Sequence, residues 1–325
     1  MSLPVLFVTR ELPSQAQQRL ESLTQVEVRQ HKSTSSIARS ELLRGAAEAT
    51  GLICLLSDAI DGEFLQHAGP QLKVVSTISV GYDHVDTGLL KEHGGIRLGY
   101  TPDVLTGATA DTTVLLALMA ARRAKEALHT IWTGTGRGFS LSEGLGTQFT
   151  NKTLGIVGFG RIGQATAHRL APFGFARTVF TASKPRPDQQ SHGAEQVSLD
   201  QLLRESDLVC VCCPLNDQTR GMFDEGAFGR MKRGAILVNT ARGAIVNQDA
   251  LLAALGQEKI AAAGLDVTVP EPLPKDHPLV RHPRCVVLPH IGSATEETRN
   301  AMANLAIDNA LAGISDQPME AEVAL

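Results

Sequence analysis

Three polar residues stand just beyond apolar runs and could act together on a carbonyl group: Arg242, Glu271 and His290. Each run has the composition of a buried strand. Residues 235–238 lead into Asn239-Thr240-Ala241-Arg242-Gly243, residues 261–267 into Thr268-Val269-Pro270-Glu271-Pro272, and residues 286–288 into Pro289-His290-Ile291-Gly292-Ser293. In an open parallel sheet, ligands bind outside the carboxyl ends of the strands, so these side chains are expected on one edge. Hydride addition to a carbonyl carbon requires a proton at the carbonyl oxygen, and an imidazole can deliver it near neutral pH. A glutamate on the other ring nitrogen would fix the tautomer and favour the imidazolium. Arg242 offers a planar fork that matches a carboxylate beside the reacting carbonyl, and a charge that polarises it. Taken singly, the three read as a structural histidine, a surface cation and a loop acid. Their shared position after strand ends is what points to chemistry.

A second signal supplies the hydride partner. Thr153-Leu154-Gly155-Ile156-Val157 reads as a strand running into Gly158-Phe159-Gly160-Arg161-Ile162-Gly163, after which residues 164–170 keep helical periodicity. Gly158 permits the tight turn, and Gly160 lets the backbone approach a pyrophosphate. Gly163 lets the helix pack on the strand, with Arg161 and Ile162 at the helix N-terminus that faces the anion. An NAD site usually has an acid near the end of the next strand to hold the ribose 2′-hydroxyl. Here the next strand, 178–181, is followed by Ala182-Ser183-Lys184-Pro185-Arg186, with no carboxylate before Asp188. Ser183, Lys184 and Arg186 offer a hydroxyl and two cations to a 2′-phosphate, so NADP(H) is expected over NAD(H). Without a ligand, the two cations would simply decorate an exposed loop.

The elements that must hold these residues follow from the rest of the chain. At 325 residues, with 43% hydrophobic and 20% charged, it suits two packed domains and excludes disordered and low-complexity classes. A net charge of −4 and 4% aromatic residues argue against nucleic acid and anionic membrane surfaces as partners. No apolar run approaches the length of a membrane span. Residues 5–8 read as a first strand and not as a signal peptide. Five cysteines form no disulfide framework and suggest a reducing compartment, the cytoplasm, which makes the Asn151-Lys152-Thr153 sequon a chance match.

Along the first hundred residues, candidate strands at 5–8, 26–28, 52–56, 72–76 and 96–98 alternate with helical patterns at 14–23, 36–47 and 63–67. That spacing predicts a parallel sheet covered by helices. Residues 103–128 read as one long helix, apolar all round at 114–119 and therefore buried on several sides, in the position of a hinge. Residues 130–150, with glycines at 134, 136, 138, 144 and 146, read as an arm. Strand–helix alternation resumes from 154 to 288, and 294–312 is a final helix. Cys210-Val211-Cys212-Cys213 contains a C-x-x-C but lies in an apolar strand and reads as core. His277, His282 and His290 are separated by prolines, so no metal site is expected. Arg122-Arg123-Ala124-Lys125 suits a helix C-terminus.

Together, Gly158–Gly163, 239–244, 264–272 and 289–295 resemble the D-isomer-specific 2-hydroxyacid dehydrogenases. The likeness extends to Leu55-Leu56-Ser57-Asp58, Ser79-Val80-Gly81, 99–106, Val246-Asn247-Gln248-Asp249, 259–266 and Glu271-Pro272-Leu273-Pro274. It implies a Rossmann-type doubly wound cofactor domain, 103–290, inserted in a smaller flavodoxin-like substrate domain, 1–102 with 291–325. It implies that Arg242 orients substrate, Glu271 partners the histidine and His290 is the acid/base. It further implies that backbone groups at Val80-Gly81 receive the substrate carboxylate, and that Thr240, Asp266, Gly292 and Ser293 line the cofactor or substrate cleft, with Pro214 a further cofactor contact. The implied activity is reduction of small 2-oxo acids, glyoxylate and hydroxypyruvate, by NADPH in a homodimer. Phosphoglycerate-type or D-lactate-type NAD enzymes, and dinucleotide-sensing corepressors, share the scaffold. Two departures stand out: a single Trp132 where such reductases carry several tryptophans in the arm, and Cys213-Pro214 where a small hydroxyl residue is expected.

Overall fold

The computed structural model describes residues 2–136, 138–184 and 193–325. They form two compact units, one of residues 1–105 with 294–325 and one of 106–293, so the breaks fall slightly later than after 102 and 290.

The first unit is built from β1 (Val5–Val8), α1 (Ser14–Glu21), β2 (Glu27–Gln30), α2 (Arg39–Ala46), β3 (Gly51–Cys54), α3 (Gly62–His67), β4 (Val74–Thr77), α4 (Thr87–Glu92) and β5 (Arg97–Gly99). All pairings are parallel and the order is β2-β1-β3-β4-β5, the flavodoxin-like arrangement. β1, β3 and β4 are buried throughout, as apolar strands covered on both faces must be, whereas β2 sits at an edge and alternates. The short α4, which the periodicity does not reveal, starts at Asp86, whose side chain accepts the Leu89 N–H.

The second unit comprises α5 (Thr106–Ala121), α6 (Ala124–Trp132), β6 (Thr153–Val157), α7 (Arg161–Leu170), β7 (Arg177–Thr181), β8 (Ala194–Gln196), α8 (Leu199–Glu205), β9 (Leu208–Val211), α9 (Glu225–Arg230), β10 (Ile236–Asn239), α10 (Gln248–Gly256), β11 (Ala262–Leu265), α11 (Pro278–Arg281) and β12 (Cys285–Val287). The last helix of the chain, α12 (Glu296–Ile314), returns to the first unit. The seven strands are parallel in the order β12-β11-β10-β9-β6-β7-β8, a Rossmann-type doubly wound sheet whose order reverses between β6 and β9.

The single helix expected over 103–128 is two helices. Arg123 adopts a left-handed conformation (φ 53°) that no continuous helix contains, and its guanidinium folds onto Glu126 at 2.5 and 2.7 Å. The returning arm caps the break. Thr147 N–H donates to Ala121 O at 2.8 Å, and a Cβ on Gly146 would lie 2.3 Å from that oxygen. The basic pair Arg122-Arg123 thus follows the C-terminus of α5, where cations favour the dipole. α5 is buried along Thr113, Leu116, Ala117 and Ala120, but Leu115 is 45% exposed, so one flank of the apolar stretch stays open.

Glycine sets how closely α7 approaches its strand. A Cβ on Gly163 would stand 2.2 Å from the carbonyl oxygen of Gly158, so the helix and the turn touch directly. Gly163→Ala must push them apart, and we expect a loss of about 1–3 kcal/mol in stability, the usual effect of overpacking, read as a lower midpoint in urea unfolding.

Candidate active site

β10, β11 and β12 lie side by side, with Asn239 opposite Leu265 and Leu265 opposite Val287. The ladder continues past the strand ends. Asp266 N–H donates to Asn239 O at 2.9 Å, and His290 N–H donates to Asp266 O at 2.8 Å. His290 has φ 57°, a left-handed conformation that costs a non-glycine residue about 1–2 kcal/mol. Asp266 holds it there: its Oδ1 accepts Ile291 N–H at 2.8 Å and its Oδ2 accepts Gly292 N–H at 2.7 Å. A Cβ on Gly292 would sit 2.9 Å from Oδ2, so the loop closes on the carboxylate only with glycine there. Asp266 is 2% exposed. Burial pushes its carboxyl above the usual range, against the pull of the two N–H groups and of His290. Sequence likeness groups Asp266 with the residues lining the cleft; the geometry shows it gripping the histidine loop.

Glu271 lies on the segment that follows β11, in which Val269-Pro270 and Glu271-Pro272 are cis. Both carboxylate oxygens are engaged. Oε1 accepts Thr268 N–H at 3.0 Å, and Oε2 lies 2.7 Å from His290 Nδ1. Burial raises this carboxyl, but the hydrogen bond and charge of His290, the Thr268 N–H and the charge of Arg242 outweigh it and hold it below the usual range. An ionised carboxylate only accepts, so the proton between the two sits on Nδ1, and Nε2 is the nitrogen left on the far side of the ring from Glu271. The pair is partly open, the two side chains being 29% and 36% exposed.

Arg242 is set by the end of β10. Asn239, fully buried, accepts Ala241 N–H on Oδ1 at 3.0 Å and donates from Nδ2 to Arg242 O at 2.9 Å, which bends the chain outward. The Arg242 guanidinium donates from Nη1 to Ala241 O at 2.8 Å. Gly243 then presses on the acid's segment, since a Cβ there would lie 2.2 Å from Thr268 O. The three residues expected on one edge are therefore brought together: His290 contacts Glu271, and the charge of Arg242 acts on Glu271. Of the remaining positions, the Thr240 hydroxyl is paired with Thr113 Oγ1 at 2.8 Å, and Ser293 is half-buried at the end of the unit.

The glycine turn fits a dinucleotide pyrophosphate. Gly158 has φ 91°, and a Cβ there would meet the Cys213 backbone at 2.5 Å. A Cβ on Gly160 would meet nothing within 4 Å, so the backbone beside the N-terminus of α7, where Arg161 and Ile162 begin the helix, is open to a ligand. Pro214 is exposed just beyond β9, and its carbonyl accepts the Thr219 hydroxyl at 2.7 Å. Ser183 and Lys184 are exposed beyond β7, with Gln196 Nε2 donating to Lys184 O at 3.1 Å. Arg186 lies outside the described residues. Among the described residues no cluster of three or more His, Cys, Asp or Glu could hold a metal. Cys210, Cys212 and Cys213 pack at β9, and burial pushes the last two thiols up to about 12 and about 11.

In the first unit, Val80 and Gly81 follow β4. The turn is stiffened by Ser79 Oγ donating to Gly81 O at 2.6 Å and by Thr101 N–H donating to Ser79 O at 2.8 Å. Sequence reasoning passes over Asn239 and Gln248 as functional residues. Their only signal is an amide side chain at a strand end or in a helix's first turn.

Comparison with known proteins agrees with this geometry. The family described as D-isomer specific 2-hydroxyacid dehydrogenase, NAD binding domain, matches residues 114–292. Human glyoxylate reductase/hydroxypyruvate reductase is 47% identical over 98% of both chains. Glyoxylate/hydroxypyruvate reductase B of Yersinia enterocolitica is 41% identical over 96% of this chain and 94% of its own. A Thermus thermophilus protein of solved structure superposes with a TM-score of 0.90 at 42% identity, covering 98% of this chain and 100% of that one. The NADPH-dependent glyoxylate/hydroxypyruvate reductase of Sinorhizobium meliloti, solved with NADP and malonate, gives 0.86 at 28% identity over 99% and 97%. With identity this high over nearly the whole length, the chain belongs to the D-isomer specific 2-hydroxyacid dehydrogenases.

Proposed function

We propose that the protein reduces glyoxylate to glycolate and hydroxypyruvate to D-glycerate with NADPH. The observation that carries this reading is the Glu271–His290 pair beside Arg242 on the edge of a dinucleotide-binding sheet. A reduced nicotinamide dinucleotide, when bound, supplies the hydride. The residues do the rest. The turn Gly158–Gly163 receives the pyrophosphate through backbone N–H groups. The Arg242 fork binds the carboxylate of a 2-oxo acid and draws electron density toward the reacting carbonyl oxygen. His290 Nε2–H gives that oxygen its proton, while Nδ1–H remains on Glu271 throughout. Glu271, by accepting from Nδ1–H, fixes the orientation of the ring and leaves Nε2 for the substrate. Family likeness adds main-chain groups at Val80 and Gly81 for the carboxylate, and Thr240, Gly292 and Ser293 for the cofactor or substrate.

Preference for NADPH rests on Ser183, Lys184 and Arg186 with no acid among them. The Sinorhizobium relative, named NADPH-dependent and solved with NADP, supports it. We further infer a cytoplasmic homodimer. Its five cysteines carry free thiols, which suits a reducing compartment. The segment after α5 exposes Ile131, Trp132, Phe139 and Leu141 at 74%, 76%, 92% and 84%, an apolar arm suited to a second copy.

Initial rates with glyoxylate, hydroxypyruvate and pyruvate, each with NADPH and NADH, test the reading. Hydroxypyruvate with NADPH should give the highest kcat/KM. A higher value with NADH overturns the coenzyme assignment, and a higher value with pyruvate overturns the substrate assignment. His290→Ala should lower kcat by about 10²–10⁴ with NADPH affinity retained. Asp266→Asn presents an amide to two N–H donors where the carboxylate offers two acceptors, and should release the histidine loop. A loss of about 10² in kcat with the fold intact is expected, measured alongside circular dichroism. Glu271 titrates below its ordinary 4.5 in the folded chain, so its contribution to stability is present above 4.5 and fades as pH falls through the lowered value. The stability difference between wild type and Glu271→Gln should shrink over that range in acid unfolding curves.

A further inference from the structure

The segment carrying Glu271 is held by one side chain whose role lies outside the chemistry described so far. Gln248 opens α10, and its carboxamide faces the Val269 peptide on both sides. Nε2 donates to Val269 O at 2.7 Å, and Oε1 accepts Val269 N–H at 2.8 Å. Helix capping does not require this contact, because Asn247 already caps α10 by accepting Ala250 N–H at 3.0 Å. Nor is the peptide sheltered otherwise: Val269 is 53% exposed, and water would compete for both of its polar groups.

The peptide that Gln248 grips adjoins the one that orients the acid. Thr268 N–H donates to Glu271 Oε1, and the Thr268 hydroxyl closes the turn on Pro270 O at 2.8 Å. On its other side, the Thr268 carbonyl is in contact range of Gly243, next to Arg242. Arg242 and Gln248 flank the short turn Gly243–Ile245, in which Ile245 N–H returns to Arg242 O at 3.2 Å. One stretch of chain, 242–248, therefore touches the acid's segment twice: at Gly243 by close packing and at Gln248 by paired hydrogen bonds.

We propose that Gln248 is a positioning residue that registers the Glu271 segment against the Arg242 segment, so that Glu271 reaches His290 Nδ1 with Arg242 in range. This deepens the reductase reading and rests on it. A fixed carboxylate matters because a partner displaced by about 1 Å can cost about 10² in rate, whereas a solvated loop would let it move.

Two variants separate positioning from folding. Gln248→Met keeps the length of the stem and removes both hydrogen bonds. Gln248→Glu still accepts from Val269 N–H but sets a carboxylate against Val269 O. Both residues form helix readily in a first turn. The first readout needs no turnover: the low-field proton resonance of His290 Nδ1–H in the unliganded protein, assigned by its loss in His290→Ala. It should be sharp in the wild type and broadened or shifted upfield in Gln248→Met. The second is kcat/KM for hydroxypyruvate against pH. Gln248→Met should lose about tenfold in kcat, Gln248→Glu less, and the limb on which activity falls with rising pH should move to lower pH, with melting temperatures within about 2 °C of wild type. A Gln248→Met protein that keeps both the resonance and the wild-type kcat overturns the proposal, as does a kcat loss no larger than the loss of folded protein. A wild type that shows the resonance yet reduces none of the 2-oxo acids overturns the reductase reading instead, and the resonance of the variants then decides the role of Gln248.

Discussion

A buried carboxylate that accepts two main-chain N–H groups shapes the loop that carries His290. Asp266 ends β11 and closes on Ile291 and Gly292, and its own carbonyl takes the N–H of His290. Those three bonds hold a histidine backbone in a conformation it would otherwise avoid. Charge-assisted hydrogen bonds are about twice as strong as neutral ones, so the clamp is adequate to that strain. Burial makes the same carboxylate expensive to ionise without its donors. Loop and acid are thus mutually dependent: the N–H groups offset part of the burial penalty on Asp266, and Asp266 keeps the N–H groups aligned.

Around this clamp, neutral amide side chains join the other segments. Asn239 bends the chain beyond β10 and Gln248 fastens the chain beyond β11, each using donor and acceptor at once. Amides suit these joints because they carry no charge to perturb the neighbouring ionisable groups. Apart from the clamped Asp266, the ionisable groups here are Arg242, Glu271 and His290, where a small displacement changes their mutual energy steeply. The division of labour is physical: amides and glycines set distance, and charges act across it.

Much of this was legible in the chain. Apolar runs ending in a polar residue marked β10, β11 and β12, because parallel strands covered on both faces must be apolar throughout and can change character only at their ends. The glycine turn was legible for a similar reason, since only glycine fits Gly158 and Gly163. What was not legible depends on contacts distant in sequence. The break after α5 is completed by Gly146 and Thr147, more than twenty residues along, and Arg123 carries no local sign of a left-handed backbone. The grip of Asp266 on residues 291 and 292 is equally non-local, and only the family resemblance singles out that aspartate, as a residue of the cleft. The Gln248 clamp, across to Val269, was hidden in the same way.

The sheet order has a further consequence. Ser183 and Lys184 follow β7, while Arg242 follows β10, and β6 and β9 lie between them. Three inter-strand spacings of about 4.8 Å put roughly 14 Å between the turn after β7 and the Arg242 segment after β10. Substitutions so far apart combine nearly independently. The turn after β7 can therefore drift in sequence while the segment that carries Arg242 keeps its place.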